Sequence, residues 1–392
     1  MKNDFPIFKH KQLVYLDSAA TTQKPQIVID AIRRFYEEDY GTVHRAVYSL
    51  AARATQQYDA VREKVRRFLH AREKEEIVFT KSTTEAINLV AAGFPLAPGD
   101  EVLISAMEHH SNIVPWQMAC SRTGARLKVI PISDTGEILL DAYKNLLSPR
   151  TKLVSVAHVS NVLGTINPIQ EMAALAHAHG AKIFVDGAQS VAHLAVDVQK
   201  MDVDFFAFSG HKAYGPTGIG VLYGKKELLQ QLPPYQGGGD MVDTVTFEKT
   251  TYQQPPLKFE AGTPMIAEVM GLGAALDYLN QYGLEAIGAK EQQLLQEATT
   301  QLQEVPGLRI LGTAPHKSGI IAFVIEGVHP LDLGTLLDLK GIAVRTGHHC
   351  AQPLLRRFGQ SAATRVSFGV YNTSEDVDAL MRALREALKV LL

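Results

Sequence analysis

A lysine, an aspartate and a cysteine carry the most specific chemical signals in this chain. Lys212 stands in FSGHKAYGPTGIG (208–220), directly after a run with strand character and among glycines that let backbone crowd a ligand. Ligands of open α/β sheets bind beyond the carboxyl ends of strands, so the position suits a site. By itself, a strand-end lysine is more commonly a solvated charge. The glycines also resemble a nucleotide loop, but the spacing fails: Gly224-Lys225 has Ile219 where the first glycine belongs, and Lys226 follows.

The strand upstream raises the interest of Lys212. IFVDGAQS (183–190) is a buried-type run ending in Asp186, with Gln189 three residues on. A buried carboxylate is costly unless it meets a cation. The pyridinium nitrogen of pyridoxal phosphate (PLP) is such a cation, and a carboxylate beside it keeps it protonated as an electron sink. The plainer reading is an aspartate capping the next turn. PLP also needs a phosphate cradle, and KSTTEAINLV (81–90) offers Ser82, Thr83 and Thr84 at a helix start, where hydroxyls and free N–H groups attract phosphate. A simple N-cap with Glu85 in the first turn explains the same residues. Ser209 and His211 could add phosphate contacts. His109, in EHHSNIVPW, could lie flat over a pyridine ring, and Asn161, in HVSNVLGTINP, could reach the ring oxygen or a substrate carboxylate. Either could equally be a satisfied loop residue.

Two cysteines cannot form a disulfide framework, which fits a reducing compartment. Cys120 follows Trp116, Gln117, Met118 and Ala119 in a helical-looking stretch and is expected in the core. Cys350 sits in RTGHHCAQP (345–353), where Arg345, His348 and His349 could favour its thiolate. The same His-His-Cys run has a zinc reading. A structural zinc site needs four ligands, and no second Cys or His pair stands nearby at finger-like spacing, so no metal is expected.

These residues need a frame. Short apolar runs at 77–80, 101–105, 126–130, 152–157, 182–186, 205–209 and 218–223 alternate with helical patterns such as 83–92, 138–147 and 169–179, punctuated by Gly and Pro. That alternation predicts a mostly parallel seven-stranded sheet with helices on both faces. After Gly262 helical patterns dominate (266–282, 284–305, 331–340, 374–391), with a strand-like run at 319–326, which predicts a smaller α+β domain. The Pro-, Gly- and Gln-rich stretch 232–262 reads as loops near a site or interface. The division expected is a large cofactor-binding domain over 16–261 and a small domain of 1–15 and 262–392 carrying Cys350. No repeat of 20–50 residues is evident.

Composition bounds the partners. The chain has 392 residues, 46% hydrophobic and 20% charged, with a formal net charge of −2, giving no reason to expect nucleic acid or an anionic membrane. No apolar stretch reaches the roughly 18 residues that span a bilayer, and the start lacks a secretory signal, so a cytoplasmic protein is expected.

Along nearly its whole length, from LDSAATTQKP at Leu16 to VSFGVYNTSEDVDAL, the chain resembles the class V aminotransferase group of PLP enzymes. SGHKAYGPTGIGVLY and VDGAQSVAHLAVDVQ carry that likeness, and RTGHHCAQP is similar to the group II cysteine desulfurases, the SufS/CsdA-like branch. The resemblance implies the fold type I of PLP-dependent transferases and a homodimer with sites at the interface. It also implies roles: Lys212 binds the cofactor covalently, Asp186 pairs with the pyridine nitrogen, Gln189 bonds the ring oxygen and His109 stacks on the ring. Thr83, Thr84, Ser209 and His211 hold the phosphate, and Gly262 and Thr263 reach the phosphate of the other subunit. His44 and Arg45 border the partner's site. Arg365 clamps the substrate carboxylate with its planar fork, helped by Asn161 and Arg345.

The expected reaction takes L-cysteine to L-alanine. Lys212 removes the Cα proton, Cys350 takes the sulfur as a persulfide, and His109 carries a proton to or from the substrate thiol. A small sulfur-acceptor protein feeding iron–sulfur cluster assembly would receive it. Within the same chemistry stand L-selenocysteine lyase and cysteine-sulfinate desulfinase, which depend less on Cys350, and an aminotransferase or decarboxylase, which does not need it. A catalytically idle subunit that binds sulfur carriers would not need Lys212, Asp186 and Cys350 together.

Overall fold

The computed structural model describes residues 1–44 and 47–392. Seven strands form its large sheet: β1 (Ile77–Thr80), β2 (Glu101–Ser105), β3 (Arg126–Ile130), β4 (Thr151–Ala157), β5 (Lys182–Asp186), β6 (Phe205–Ser209) and β7 (Gly220–Gly224). Their order is β1-β7-β6-β5-β4-β2-β3. All neighbours pair in parallel except β7, which runs antiparallel to β1 and β6. The mostly parallel seven-stranded sheet read from the sequence is therefore present.

The central strands bury both faces, as covered parallel sheets do. On β6, Phe206 and Phe208 enter one core with Tyr58 and Val61 of helix α1 (Ser49–Phe68). Phe205 and Ala207 enter the opposite core with Ile87 of α2 (Thr83–Gly93) and Trp116 and Cys120 of α3 (Val114–Thr123). Cys120 is thus a buried core residue, as expected. Two glycines allow close approaches that shape the site. A Cβ on Gly187 would lie 1.9 Å from the Phe206 ring, and one on Gly220 would lie 2.6 Å from Ser82 Cα.

A second sheet is wholly antiparallel, in the order β8-β9-β11-β10: β8 (Leu308–Leu311), β9 (Ile320–Ile325), β10 (Arg345–Gly347) and β11 (Ala363–Ser367). Its own core joins Phe323, Val366 and Leu16 to Leu294 and Ala298 of α5 (Leu284–Gln303) and Val377, Leu380 and Leu384 of α6 (Ser374–Leu391). A capping box of Thr373 and Asp376 starts α6. The chain's beginning joins this region, since Val14–Tyr15 pairs in parallel with Ile342–Ala343. Helix α4 (Ile266–Tyr282) instead places Val269, Leu272 and Leu276 in the first core.

One expectation needs correction. The stretch 232–262 is not loop throughout: Val242–Val245 and Thr250–Tyr252 form an antiparallel hairpin, with Phe247 fully exposed. Its Pro, Gly and Gln content hid a ribbon too short and exposed to show an apolar alternation.

Candidate active site

The parallel strands deliver their chemistry at one edge. Asp186 is the last residue of β5, Ser209 ends β6, Thr83 follows β1, His109 follows β2 and Asn161 follows β4. All five line one cavity of about 340 Å³ at the carboxyl ends of these strands. Lys212 enters it from the single turn after β6; Arg345 and Arg365 close it from the second sheet, and His349 and Cys350 from the loop that follows Arg345–Gly347.

Asp186 is buried, and burial pushes its carboxyl up; its Oδ1 accepts the Ala188 N–H at 2.9 Å, which with Lys212 pulls the other way. Lys212 has no side-chain hydrogen bond or ion pair among the described residues. Burial lowers its amine to about 8, against the upward pull of Asp186. Gln189 donates to Ala19 O at 2.6 Å. Ser82 caps α2 by accepting the Glu85 N–H at 3.2 Å, leaving Thr83 to meet Ser209 Oγ through both its N–H and its hydroxyl at 2.9 Å. Thr84 Oγ1 reaches Ser111 Oγ at 2.8 Å, and His211 Nδ1 reaches Thr21 Oγ1 at 3.1 Å. His109 Nδ1 accepts the Ser111 N–H at 3.0 Å, so its proton is assigned to Nε2; burial, then Lys212, lowers this imidazole to about 3 and keeps it neutral.

These residues fit the PLP that the sequence resemblance implies. A buried carboxylate with a single N–H partner calls for a cation. The half-buried Lys212, without a hydrogen-bond partner among the described residues, stands in the same cavity, and hydroxyls cluster at the N-terminus of an 11-residue helix.

The opposite wall carries two arginines. Arg365 is 3% exposed, donates to Asn161 O at 2.8 Å and to Asp17 Oδ1 at 2.9 Å, and leaves its Nε without a partner. Arg345 lies directly across the strand pair from Arg365, and its guanidinium is 3.8 Å from Asp17 Oδ2. Like charges opposite each other repel, so Asp17 is the counter-ion that makes the pair tolerable. Asn161 also donates to His349 O at 2.7 Å, tying this loop to the cysteine segment. Cys350 is partly exposed, and it and His349 both take positive φ, 53° and 52°. Its N–H bonds His348 Nδ1 at 3.1 Å, and its carbonyl accepts the His110 N–H at 2.7 Å.

The cavity therefore gathers Lys212, Asp186, Gln189, His109, Thr83, Thr84, Ser209, His211, Asn161, Arg345, Arg365 and Cys350. Gly262 and Thr263 do not line it; Gly262, at φ 79°, donates its N–H to Gly239 O at 3.0 Å. Among the described residues His44 has a buried Nε2 without a partner, and Arg45 lies outside the described residues. Sequence reasoning missed Thr21, Ser111 and Asp17. The segment LDSAATT contained two of them, but nothing local shows that Asp17 meets an arginine near the other end of the chain. The His-His-Cys run also meets a histidine from a distant segment, His110, whose ring nitrogen lies with those of His348 and the Cys350 sulfur within 4.8 Å of one another.

The chain belongs to the class-V aminotransferase family, whose model matches residues 14–380. Within that family it is 55% identical to a cysteine desulfurase of Synechococcus elongatus over 98% of this chain, and spans 63% of that longer relative. It is 51% identical to the cysteine desulfurase of Dickeya dadantii, covering all of this chain and 97% of the relative. The crystal structure of the Escherichia coli cysteine desulfurase CsdA (S-sulfonic acid) superposes with a TM-score of 0.93 at 43% identity, covering 100% of this chain and 98% of that one.

Proposed function

We propose that the chain is a PLP-dependent cysteine desulfurase that turns L-cysteine into L-alanine and keeps the sulfur on Cys350. One observation carries this reading: a cysteine lines the same cavity as a half-buried lysine, a buried aspartate and a buried arginine. Lys212, Asp186, Gln189 and His109 hold the cofactor's ring, and Thr83, Thr84, Ser209 and His211 hold its phosphate. When bound, PLP supplies the electron sink that acidifies Cα and weakens the Cβ–S bond.

The side chains do the rest. Arg365 takes the substrate carboxylate on its planar fork, with Asn161 and Arg345 fixing the orientation. Lys212, lowered to about 8 by burial, is partly neutral near physiological pH and accepts the Cα proton. His109, assigned as proton carrier to the substrate thiol, meets the substrate sulfur through its Nε2–H, which donates a hydrogen bond that favours the thiolate. The Cys350 thiolate attacks the substrate sulfur; the S–S bond forms as the Cβ–S bond breaks. In sum, L-cysteine and the Cys350 thiol give L-alanine and the Cys350 persulfide, balanced in atoms and electrons.

The persulfide passes to a small sulfur-acceptor protein for iron–sulfur cluster assembly, and the partly exposed position of Cys350 suits such a hand-off. Residues 16–261 act as the cofactor-binding domain, with 1–15 and 262–392 as the domain carrying the cysteine. The chain works as a homodimer in which Gly262, Thr263, His44 and Arg45 border the partner's site. Exposed Val47, Tyr36, Tyr40 and Phe247 supply apolar surface for that association. No helix among the described residues is long and apolar enough to cross a membrane, and we place the enzyme in the cytoplasm. The test is alanine formed from L-cysteine by the native chain and by Cys350→Ala. Alanine from the first and little from the second supports the reading; equal alanine from both overturns it and favours chemistry that needs no thiol, such as selenocysteine or cysteine-sulfinate cleavage.

A further inference from the structure

Cys350 has two neighbours that the sulfur-transfer reading does not use. His348 is on its own loop, and His110 comes from the turn after β2. The His110 and His348 rings lie 5.6 Å apart at 33° to each other. The three side chains bring their ligand atoms within 4.8 Å of one another at the rim of the cavity. Two imidazoles and a thiolate are a donor set that zinc takes. Bonds of 2.0–2.3 Å to a tetrahedral ion place ligand atoms roughly 3.5 Å apart. Side-chain rotation of about an ångström would close the present spacing.

The surroundings favour closure without rebuilding the backbone. His110 N–H donates to Cys350 O at 2.7 Å, locking the two segments together. One nitrogen of each ring accepts a backbone N–H: His348 Nδ1 from Cys350 at 3.1 Å, and His110 Nε2 from Gln352 at 3.2 Å. These contacts orient the rings and engage only one nitrogen of each. His348 is exposed and Cys350 partly so, which leaves a path for the ion and room for a water as fourth ligand.

We propose that His110, His348 and Cys350 form a thiophilic metal site for Zn²⁺ that reversibly masks the Cys350 thiol. On binding, the thiol releases its proton to solvent and a metal–sulfur bond forms, with no redox change; a chelator reverses it. The metal site stands on its own geometry, and only its inhibitory consequence rests on the desulfurase reading.

The experiment keeps the two apart. Holoenzyme is titrated with Co²⁺ and then Zn²⁺, and alkylation of Cys350 by iodoacetamide is timed with and without Zn²⁺, in the native chain, His110→Ala, His348→Ala and Cys350→Ser. Expected are the ligand-field absorption of four-coordinate Co²⁺ and its displacement by Zn²⁺, both lost in Cys350→Ser, and slower alkylation of the native protein by Zn²⁺. Each histidine variant should weaken binding by at least the roughly tenfold that loss of an outer-shell partner costs. His110→Gln and His348→Gln replace any alanine variant that does not fold. Absence of four-coordinate Co²⁺, or Zn²⁺ protection unchanged in both histidine variants, overturns the site, whatever the activity toward L-cysteine.

Discussion

On the sheet side of the cavity, Asp186, Gln189, Thr83 and Ser209 are buried and tied to backbone or to one another at 2.6–2.9 Å. On the opposite side, Cys350 is partly exposed, its N–H bond is 3.1 Å long, and two consecutive residues sit at positive φ. The first wall rests on strand ends inside a packed sheet; the second on a loop between β10 and a short helix, Gln352–Arg357. On the proposed function, the group that must not move is built into the core, and the group that would pass sulfur outward stands on strained, accessible backbone. Arg365 belongs to neither extreme. It lies on β11 and is buried, yet its partner is the carboxylate of Asp17 from the chain's beginning.

The largest effect should come from the fixed wall. Lys212→Ala removes the only free amine that the cavity offers among the described residues. Loss of a catalytic base alone costs about 10²–10⁴-fold in rate, and loss of covalent cofactor attachment should add to it. Alanine production should fall by at least that factor, and the visible absorbance of bound PLP should change. Cys350→Ser should leave that absorbance intact, so a shared loss of absorbance in both variants would break the contrast between the walls.

Asp17 probes the seam. Asp17→Asn leaves Arg365 buried beside Arg345 without its counter-ion. Stability should drop by about 1–3 kcal/mol, the cost of an unsatisfied buried charged group. KM for L-cysteine should rise, because the fork loses the partner that orients it. Thermal unfolding and steady-state kinetics check both. A KM that falls would instead make Asp17 a competitor for the substrate carboxylate, and an unchanged KM would detach Asp17 from binding.

How much of this was legible follows from the same contrast. The strands of the large sheet were readable because buried parallel strands are short continuous apolar runs, such as KIFVD and FFAFS, and Lys212 and Asp186 stand where those runs stop. The phosphate-type cradle at Ser82–Thr84 was readable as a helix start. Asp17 and His110 were not, because their meaning lies in residues hundreds of positions away. Local pattern carries no trace of the Asp17–Arg365 pair, nor of Val14–Tyr15 lying beside Ile342–Ala343.

The smallest expected effect concerns a carboxyl just behind the fixed wall. Glu108 precedes His109 and is fully enclosed. It accepts from Ser105 Oγ, from the Ala157 N–H at 3.1 Å and from Asn112 Nδ2 at 2.7 Å. Burial raises its pKa from an ordinary 4.5 to about 7, those bonds pull it down, and nearby Asp186 adds to the rise. A carboxyl raised on folding is bound to its proton more tightly in the native state. Its contribution to stability is therefore present below 4.5 and is lost as pH rises through about 7. With each pKa unit equal to about 1.4 kcal/mol, the native chain should lose about 2–3 kcal/mol between pH 5 and 8 that Glu108→Gln does not. Urea unfolding of both proteins across that range checks it by difference, which cancels the other titrating groups. If the two stability curves run parallel, Glu108 does not titrate near neutrality. An ionised Glu108 would then stand behind the fixed wall, held by its three hydrogen bonds.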